Sequence, residues 1–451
     1  MERGQLTAGP PWPDLSRISA YVLTAVWILE LANLLHPAVL LQAVGGAGLV
    51  VFVLMALARA SRHIRVLFLA VAGSAVLIAI AQRDVAILGE GLRRALIFGA
   101  FMPSVLLLRA TVEASARTHA LRQGIGGLSE AGRVNWTLYG SHTLGAILNV
   151  GAMAILAPVV SQDQPDAKRA LLAASSSRGV GIAVMWSPFF VAMGFVTHLV
   201  PGVQLWQVML LGAGVAAVGL AVSHVMFTPE LGWRAFRDSV ARLRPLLLPT
   251  AVIVGSVLAA TALADVSGPQ AVALAVPVLC GAYLALAGWP AMKQAAARTF
   301  GSFSRLSDEI IIVTGATLLG VAIAGLPAVS ALTPEEVPAF FTGLPLIAGV
   351  VALLTLSGLL GLHPMIGASV LVPVLAGGAF GVNDVVLVEA AVFAWGLSAI
   401  VAIWTLPVAV ASTMFRVPVK VLGAGRNLAF AAIYAAGAIA LLGAVNFVLT
   451  R

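Results

Sequence analysis

LYGSHTLG, residues 138–145, and GLLGLHPMIG, residues 358–367, interrupt two long apolar runs. Each stretch places polar side chains directly after a glycine. A glycine can end one helix, and a serine or a proline just after it can begin the next. We therefore predict helix breaks at Gly140 and Gly361, each at the tip of a reentrant hairpin.

The composition around these stretches indicates a membrane protein. Of the 451 residues, 60% are hydrophobic and only 10% are charged, and the mean hydropathy is +1.03. Apolar windows long enough to cross a lipid bilayer recur along the chain, and they are continuous rather than alternating. The sequence thus predicts an all-α polytopic membrane protein and excludes a β-barrel. The N-terminal segment lacks the apolar core of a cleaved signal peptide, so the first span is expected to remain.

The apolar runs predict about 11 transmembrane helices and two hairpins, with no soluble domain. Residues 1–37 form an N-terminal segment and first helix. Residues 38–227 form one unit, with a hairpin at about 125–160, and residues 245–451 form a second unit, with a hairpin at about 338–380. A basic amphipathic connector, residues 228–244, joins the units on the cytoplasmic side. The predicted spans are residues 19–35, 38–58, 66–82, 92–112, 168–199, 203–227, 245–264, 270–289, 309–328, 384–415 and 427–449.

The basic residues predict the orientation. With a cytoplasmic N-terminus and a periplasmic C-terminus, 22 of the 26 Lys and Arg lie at cytoplasmic ends, and the exceptions are Arg83, Arg93, Arg94 and Arg451. This bias is typical of a multi-pass protein of the cell inner membrane. The two units then have opposite orientations, as inverted repeats. Such repeats, with paired broken helices, are typical of secondary transporters.

Two prolines predict breaks inside long spans. Pro188 in MWSPFF and Pro407 in IWTLPVAV each remove a backbone hydrogen bond. Half-helix N-termini carry unpaired N–H groups and partial positive charge, so breaks of this kind favour anions. None of the four breaks contains Asp or Glu. The candidate substrate-binding residues are Ser141, His142, Thr143, Ser187, His363, Pro364 and Thr405.

Three titratable residues are candidates for coupling. His142 and His363 carry imidazoles that titrate near neutral pH, and Glu389 is an acid within an apolar span. A coupling proton is expected, with Na⁺ as the alternative, and no cofactor or metal site is predicted. Asn149 is interpreted as an interhelix hydrogen-bonding residue. The scattered basic residues predict no nucleic-acid binding.

Five motifs resemble those of the ion transporter superfamily, which includes divalent anion:sodium symporters, arsenite permeases and the large subunit of tripartite transporters. The resemblance implies two reentrant hairpins, an elevator mechanism and a homodimer. In the symporters, asparagines at the hairpin tips and a double-proline kink help to hold sodium. Here histidines replace both asparagines and neither kink keeps two prolines, which favours protons. The motifs are SHT (141–143), LHP (362–364), AASSSRGVGIAVMWSP (173–188), FAWGLSAIVAIWTLP (393–407) and DEIIIVTGATLLGVAIAG (308–325).

The leading hypothesis is a secondary active transporter of a small anion, an organic acid or an inorganic oxyanion, that works by alternating access. One alternative is the membrane subunit of a transporter that needs a periplasmic binding protein. Another is a membrane enzyme acting on a lipid-linked substrate, with Ser141 as nucleophile and His142 as base. The sequence has no Walker loop, HExxH or GxSxG motif, so we expect no enzymatic activity.

Overall fold

The computed structural model describes residues 15–115, 129–157, 165–231, 233–331 and 338–451. Within these ranges the chain is helical, and ten segments are long and apolar enough to cross a membrane. The prediction of an all-α polytopic membrane protein is confirmed. The N-terminal 14 residues and both ends of the predicted 125–160 hairpin lie outside the described ranges.

The first half contains ten helices within the described ranges, followed by the connector. Five helices and a final long one are single spans or parts of spans, and the other four form a hairpin and a broken span. The bounds are α1 Leu15–Leu35, α2 Val39–Arg59, α3 Arg62–Ala81, α4 Ala86–Leu96, α5 Phe98–Glu113, α6 Glu130–Leu148, α7 Gly151–Leu156, α8 Asp166–Ala183, α9 Val191–Leu199 and α10 Leu205–Phe227, then the connector helix α11 Trp233–Ala241.

The second half has the same order of elements. Several helices lead to a hairpin (α16–α17), a broken span (α18–α19) and a long final helix. The inverted orientation of the two halves stays a prediction. The bounds are α12 Arg244–Ala264, α13 Gly268–Ala287, α14 Trp289–Ser302, α15 Ser307–Ala324, α16 Gly343–Leu359, α17 Pro364–Leu375, α18 Asp384–Val401, α19 Leu406–Phe415, α20 Val419–Gly423 and α21 Arg426–Leu449.

The first hairpin turns at a different residue from the one predicted. Helix α6 runs without interruption through residues 140–143 and ends at Asn149, whose φ of 52° lies in the left-handed region. The prediction of a break at Gly140 is therefore wrong. Gly140 instead contacts Leu156, since a β-carbon there would lie 3.5 Å from the Leu156 methyl groups. Helix α7 thus folds back along α6, and Gly140 lets the two approach.

The second hairpin turns where the sequence predicts a break. Gly361 has a φ of +86°, which a side chain disfavours, and it separates α16 from α17. His363 is the N-cap of α17, and Pro364 follows in the first turn. Proline is tolerated there because that turn's N–H groups have no helical partner.

Both broken spans are present. The backbone leaves the helical form between α8 and α9, around Pro188, and again between α18 and α19. Pro407 lies in the first turn of α19 rather than in the gap, so the break precedes it.

Helix α18 lies at the centre of the fold. It packs against both helices of the other broken span, against the second hairpin, and against α10 and α21. Helices α2, α3 and α12 instead expose many large apolar side chains, among them Leu54, Leu69 and Leu263. These faces are suited to contact with lipid, whereas the interior holds the breaks.

Candidate functional site

A cavity of about 830 Å³ lies where the breaks meet. Its walls include the turn of the first hairpin, at Asn149 and Val150, and the turn of the second, around Gly361. The end of α8, the start of α9 and the α18–α19 break complete it. The two halves of the chain therefore contribute to one chamber.

Three helix N-termini open into this cavity. Helix α9 begins at Val191, α17 at Pro364 and α19 at Leu406, and all three residues line the chamber. The first turn of a helix leaves backbone N–H groups without helical partners and carries partial positive charge. No side chain caps the N-termini of α9 or α19. The arrangement suits a ligand with an anionic group.

His363 closes one side of the chamber. Its Nδ1 accepts a hydrogen bond from the Met365 N–H over 3.3 Å, which fixes the ring at the start of α17. The ring packs edge-on against Trp395, with centroids 5.1 Å apart. Both rings line the cavity.

Thr405 and Ser398 supply hydroxyl groups at the second broken span. The Thr405 hydroxyl donates to the Ala402 carbonyl over 2.7 Å, and its oxygen accepts no bond from the α19 backbone. The Ser398 hydroxyl donates to the Ala394 carbonyl over 2.9 Å. Both donors are used within the helix, so what these side chains offer a ligand is oxygen lone pairs.

The cavity also has a charged side that the sequence analysis missed. Arg305, Asp308 and Glu309, at the start of α15, line it together with His63. Asp308 and Glu309 begin the segment DEIIIVTG, whose acidic start was available as a signal. The walls of the chamber thus include both helix N-termini and the two acidic residues.

Several predicted ligands lie away from the cavity. Ser141, His142, Thr143 and Ser187 are not among its lining residues. Their region of α6 crosses α8, and a β-carbon on Gly179 would lie 2.7 Å from the β-carbon of Ser141. Pro188 lies in the break but likewise outside the lining. Placing the first tip at 141–143 was wrong because α6 continues for two more turns.

The polar side chains that do not line the cavity have hydrogen-bond partners in the packed interior. The Ser141 hydroxyl bonds to Ser176 over 2.7 Å, and the Trp186 ring N–H donates to His142 Nε2 over 3.1 Å. Ser187 donates to the Ala146 carbonyl. Since Ser141 bonds to another serine and His142 to a tryptophan, they form no nucleophile–base pair. The geometry does not support the membrane-enzyme alternative.

Asn149 lies at the tip of the first hairpin, where the sequence analysis placed Ser141. Its N–H donates to the Gly145 carbonyl over 2.8 Å, and its carbonyl accepts from Ala152 over 3.1 Å. Asparagine tolerates the left-handed conformation that ends helices, so Asn-Val-Gly at 149–151 was a detectable turn signal.

Glu389 is fully buried on α18 and does not line the cavity. Among the described residues, no group of three or more His, Cys, Asp or Glu side chains is placed to hold a metal ion.

Two hairpins and two broken spans around a shared chamber define a polytopic membrane protein. A solved structure has a similar fold. The YdaH transporter of Alcanivorax borkumensis superposes with a TM-score of 0.50 at 15% identity, over 96% of this chain and 98% of that one. The likeness shows the fold alone.

A second solved structure is more distant. MtrF of Neisseria gonorrhoeae, described as illuminating a class of antimetabolite efflux pumps, gives a TM-score of 0.47 at 14% identity, over 96% of this chain and 95% of that one, and no argument rests on it. No family model matches the chain, and no curated protein matches it in sequence. The resemblance to the ion transporter superfamily stays a prediction.

Proposed function

We propose that the protein is a secondary active transporter of a small organic anion and not an enzyme. The observation that carries this proposal is the convergence of three helix N-termini, those of α9, α17 and α19, on one cavity. An anionic group bound there would meet backbone N–H donors without needing a fixed cation. Of the predicted ligands, His363, Pro364 and Thr405 line this site.

The size and walls of the cavity favour an organic acid over an inorganic oxyanion. A volume of about 830 Å³ is in the range of sites for drug-sized ligands. Phe190, Trp395 and Trp404 give it large apolar surfaces. The substrate would place its apolar body against these rings and its acid group at the helix N-termini. Asp308 and Glu309 would repel the acid group and so orient it.

Alternating access is the proposed mechanism. The hairpins and broken spans (α6–α9 and α16–α19) would move as an elevator against the remaining helices, in a homodimer of the inner membrane, with a proton as coupling ion. A broken span is suited to this role because backbone groups that are unpaired in a membrane are tolerated where they line a cavity.

A thermal-stability screen of the purified protein tests the anion site. Benzoate, succinate, citrate and phosphate are added separately, and a ligand at about 100 times its Kd should stabilise the protein by roughly 2.7 kcal/mol. We expect one of the carboxylates to raise the melting temperature. Thr405→Asp should reduce that shift, because a carboxylate at the N-cap of α19 would take the backbone N–H donors of that helix and repel the anion.

Thr413→Asp is the matched control, since Thr413 lies on the same helix, is exposed and bonds to the Ala409 carbonyl. It should leave the shift unchanged. Stabilisation by phosphate alone would contradict an organic substrate. Uptake of the stabilising carboxylate into protein-loaded liposomes, driven by a pH gradient, then tests transport. Binding without uptake would contradict the transporter assignment.

A further inference from the structure

Glu389 is the most isolated acid in the described part of the chain. Its side chain is 0% exposed, and neither carboxyl oxygen has a hydrogen-bond partner among the described residues. An ionised carboxylate in such a place is costly unless it is paired. Intramembrane acids of this kind usually mark ion or proton pathways.

Two other oxygen atoms belong to segments near Glu389. A β-carbon on Gly212 of α10 would overlap the Met185 carbonyl oxygen and lie 3.1 Å from Glu389 Oε2, so both oxygens approach this glycine. Residue 188 is proline, and no described N–H donates to the Met185 carbonyl. The Tyr434 hydroxyl of α21 is also buried without a partner, and it interacts electrostatically with Glu389.

We propose that Glu389, with the Met185 carbonyl and the Tyr434 hydroxyl, forms the proton-binding site that couples transport, separate from the substrate cavity. The assignment rests on the proposed transport function. It moves the coupling role from His142 and His363 to the carboxyl group. His142 is engaged with Trp186, and His363 holds the start of α17.

The packing favours a proton over a metal cation. Hard metal cations take about six oxygen ligands, whereas this proposed site offers the carboxylate, one carbonyl and one hydroxyl. The surroundings are tight as well, because a β-carbon on Gly219 would lie 2.5 Å from the Tyr434 ring. A protonated carboxyl group needs no additional space.

The other charged or titratable groups on helices near α18 have hydrogen-bond partners, pack against an aromatic ring or are exposed. On α8, Arg178 donates to Ser175, Ser223 and Asn427. His224 on α10 contacts Asn135 and Thr228, and His198 on α9 packs edge-on against Phe98. Lys420 on α20 is exposed. The packed helices α16, α17 and α19 contain no titratable residue.

The position of the site explains how a proton could act on the cavity. Met185 belongs to the break between α8 and α9, and its neighbour Val184 and nearby Phe190 both line the chamber. A neutral Glu389 is compatible with the packed break. Ionisation would require water or new donors, which the break can admit only by rearranging. The protonation state and the shape of the cavity are therefore linked.

Melting temperatures of the purified protein test the site without any substrate. They are measured from about pH 5.5 to about pH 9, in sodium chloride and in choline chloride. The folded state holds a proton that the unfolded chain releases, so wild-type stability should fall as the pH rises. Glu389→Gln should reduce the slope of stability against pH by up to the amount that corresponds to one bound proton. Glu130→Gln, which changes an acid that is 61% exposed, should keep the slope.

An identical pH slope in Glu389→Gln and wild type would overturn the proposal. Stabilisation by sodium over choline that Glu389→Gln abolishes would also overturn it, in favour of a sodium site. Tyr434→Phe supplies a second variant, because it removes the hydroxyl that could donate to an ionised carboxylate. It should extend the loss of stability to higher pH, because the folded state then ionises less readily, whereas a purely structural tyrosine would leave the pH range of the loss unchanged. If the protein binds no anion but its stability still falls with pH, the proposed function is refuted, whereas the proposal of a proton-binding site at Glu389 is not.

Discussion

Arg178 shows how single residues hold the broken span in place. It is 0% exposed, and no carboxylate pairs with it among the described residues. Its guanidinium donates to Ser223 over 3.0 Å, to Asn427 over 2.6 Å and to Ser175 over 2.8 Å. It also lies 3.7 Å from the centre of the Phe227 ring. Charge-assisted bonds and the aromatic face offset the cost of burying the charge.

Arg178→Lys should destabilise the protein without changing anion binding. One ammonium group cannot replace a planar fork that reaches acceptors on α8, α10 and α21. We expect a loss of about 2–3 kcal/mol, measured as a lower melting temperature. Arg298→Lys is the control, because Arg298 is half-exposed and 3.8 Å from Glu113, and it should cost less than about 1 kcal/mol. Full stability combined with lost carboxylate binding would place Arg178 in the substrate path.

At the scale of elements, the crossing of α6 and α8 depends on two glycines. A β-carbon on Gly145 would lie 3.1 Å from Val180, and one on Gly179 would overlap the Leu138 carbonyl oxygen. Small residues allow helix backbones to approach closely within membranes. The crossing sets the position of the first hairpin relative to the broken span.

Gly179→Ala should therefore destabilise the fold by about 1–3 kcal/mol, since backbone atoms would have to move. Gly255→Ala on α12 is the matched control because its β-carbon would meet nothing within 4 Å. Alanine is the better helix former by about 1 kcal/mol, so the control should be neutral or stabilising. Melting temperatures of both variants measure the difference. Equal values would argue that α6 and α8 are not in close contact.

The two roles that glycine has in helices explain why only part of the architecture could be predicted. Apolar length predicted the spans closely: the predicted 203–227 and 384–415 correspond to Leu205–Phe227 and Asp384–Phe415. Glycine, however, both ends helices and permits close packing, and the residue alone does not distinguish the two uses. Gly140 was assigned to the first use and has the second. Gly361 was assigned correctly because His363-Pro364 follows it, and proline disfavours a helix interior.

For the site, long-range placement was the missing information. His363, Pro364 and Thr405 line the cavity because local chemistry located their breaks. Arg305, Asp308 and Glu309 reach it from α15, far along the chain, and no local pattern links α15 to a break. The isolation of Glu389 likewise depends on which helices surround α18.

At the scale of the whole molecule, the two-fold repetition of elements acquires its mechanistic meaning only if the halves are inverted. Equal numbers of hairpins and breaks then face opposite sides of the membrane, and a small movement can expose the shared cavity to either side. The distribution of basic residues predicts this arrangement. Its consequence is that Ser61, which follows α2, and Asp265, which follows α12 at the equivalent position of the other unit, lie on opposite sides.

Cysteine labelling measures this directly. Cys280 is the only cysteine and is buried, so Cys280→Ala should yield a folded, cysteine-free background. In intact spheroplasts, a membrane-impermeant maleimide should label Asp265→Cys and leave Ser61→Cys unlabelled. Both positions are exposed, so permeabilising the membrane should make Ser61→Cys react as well, which controls for accessibility. Labelling of both sites in intact spheroplasts would mean an even number of crossings between them. The two halves could not then be inverted, and alternating access would need a different structural basis.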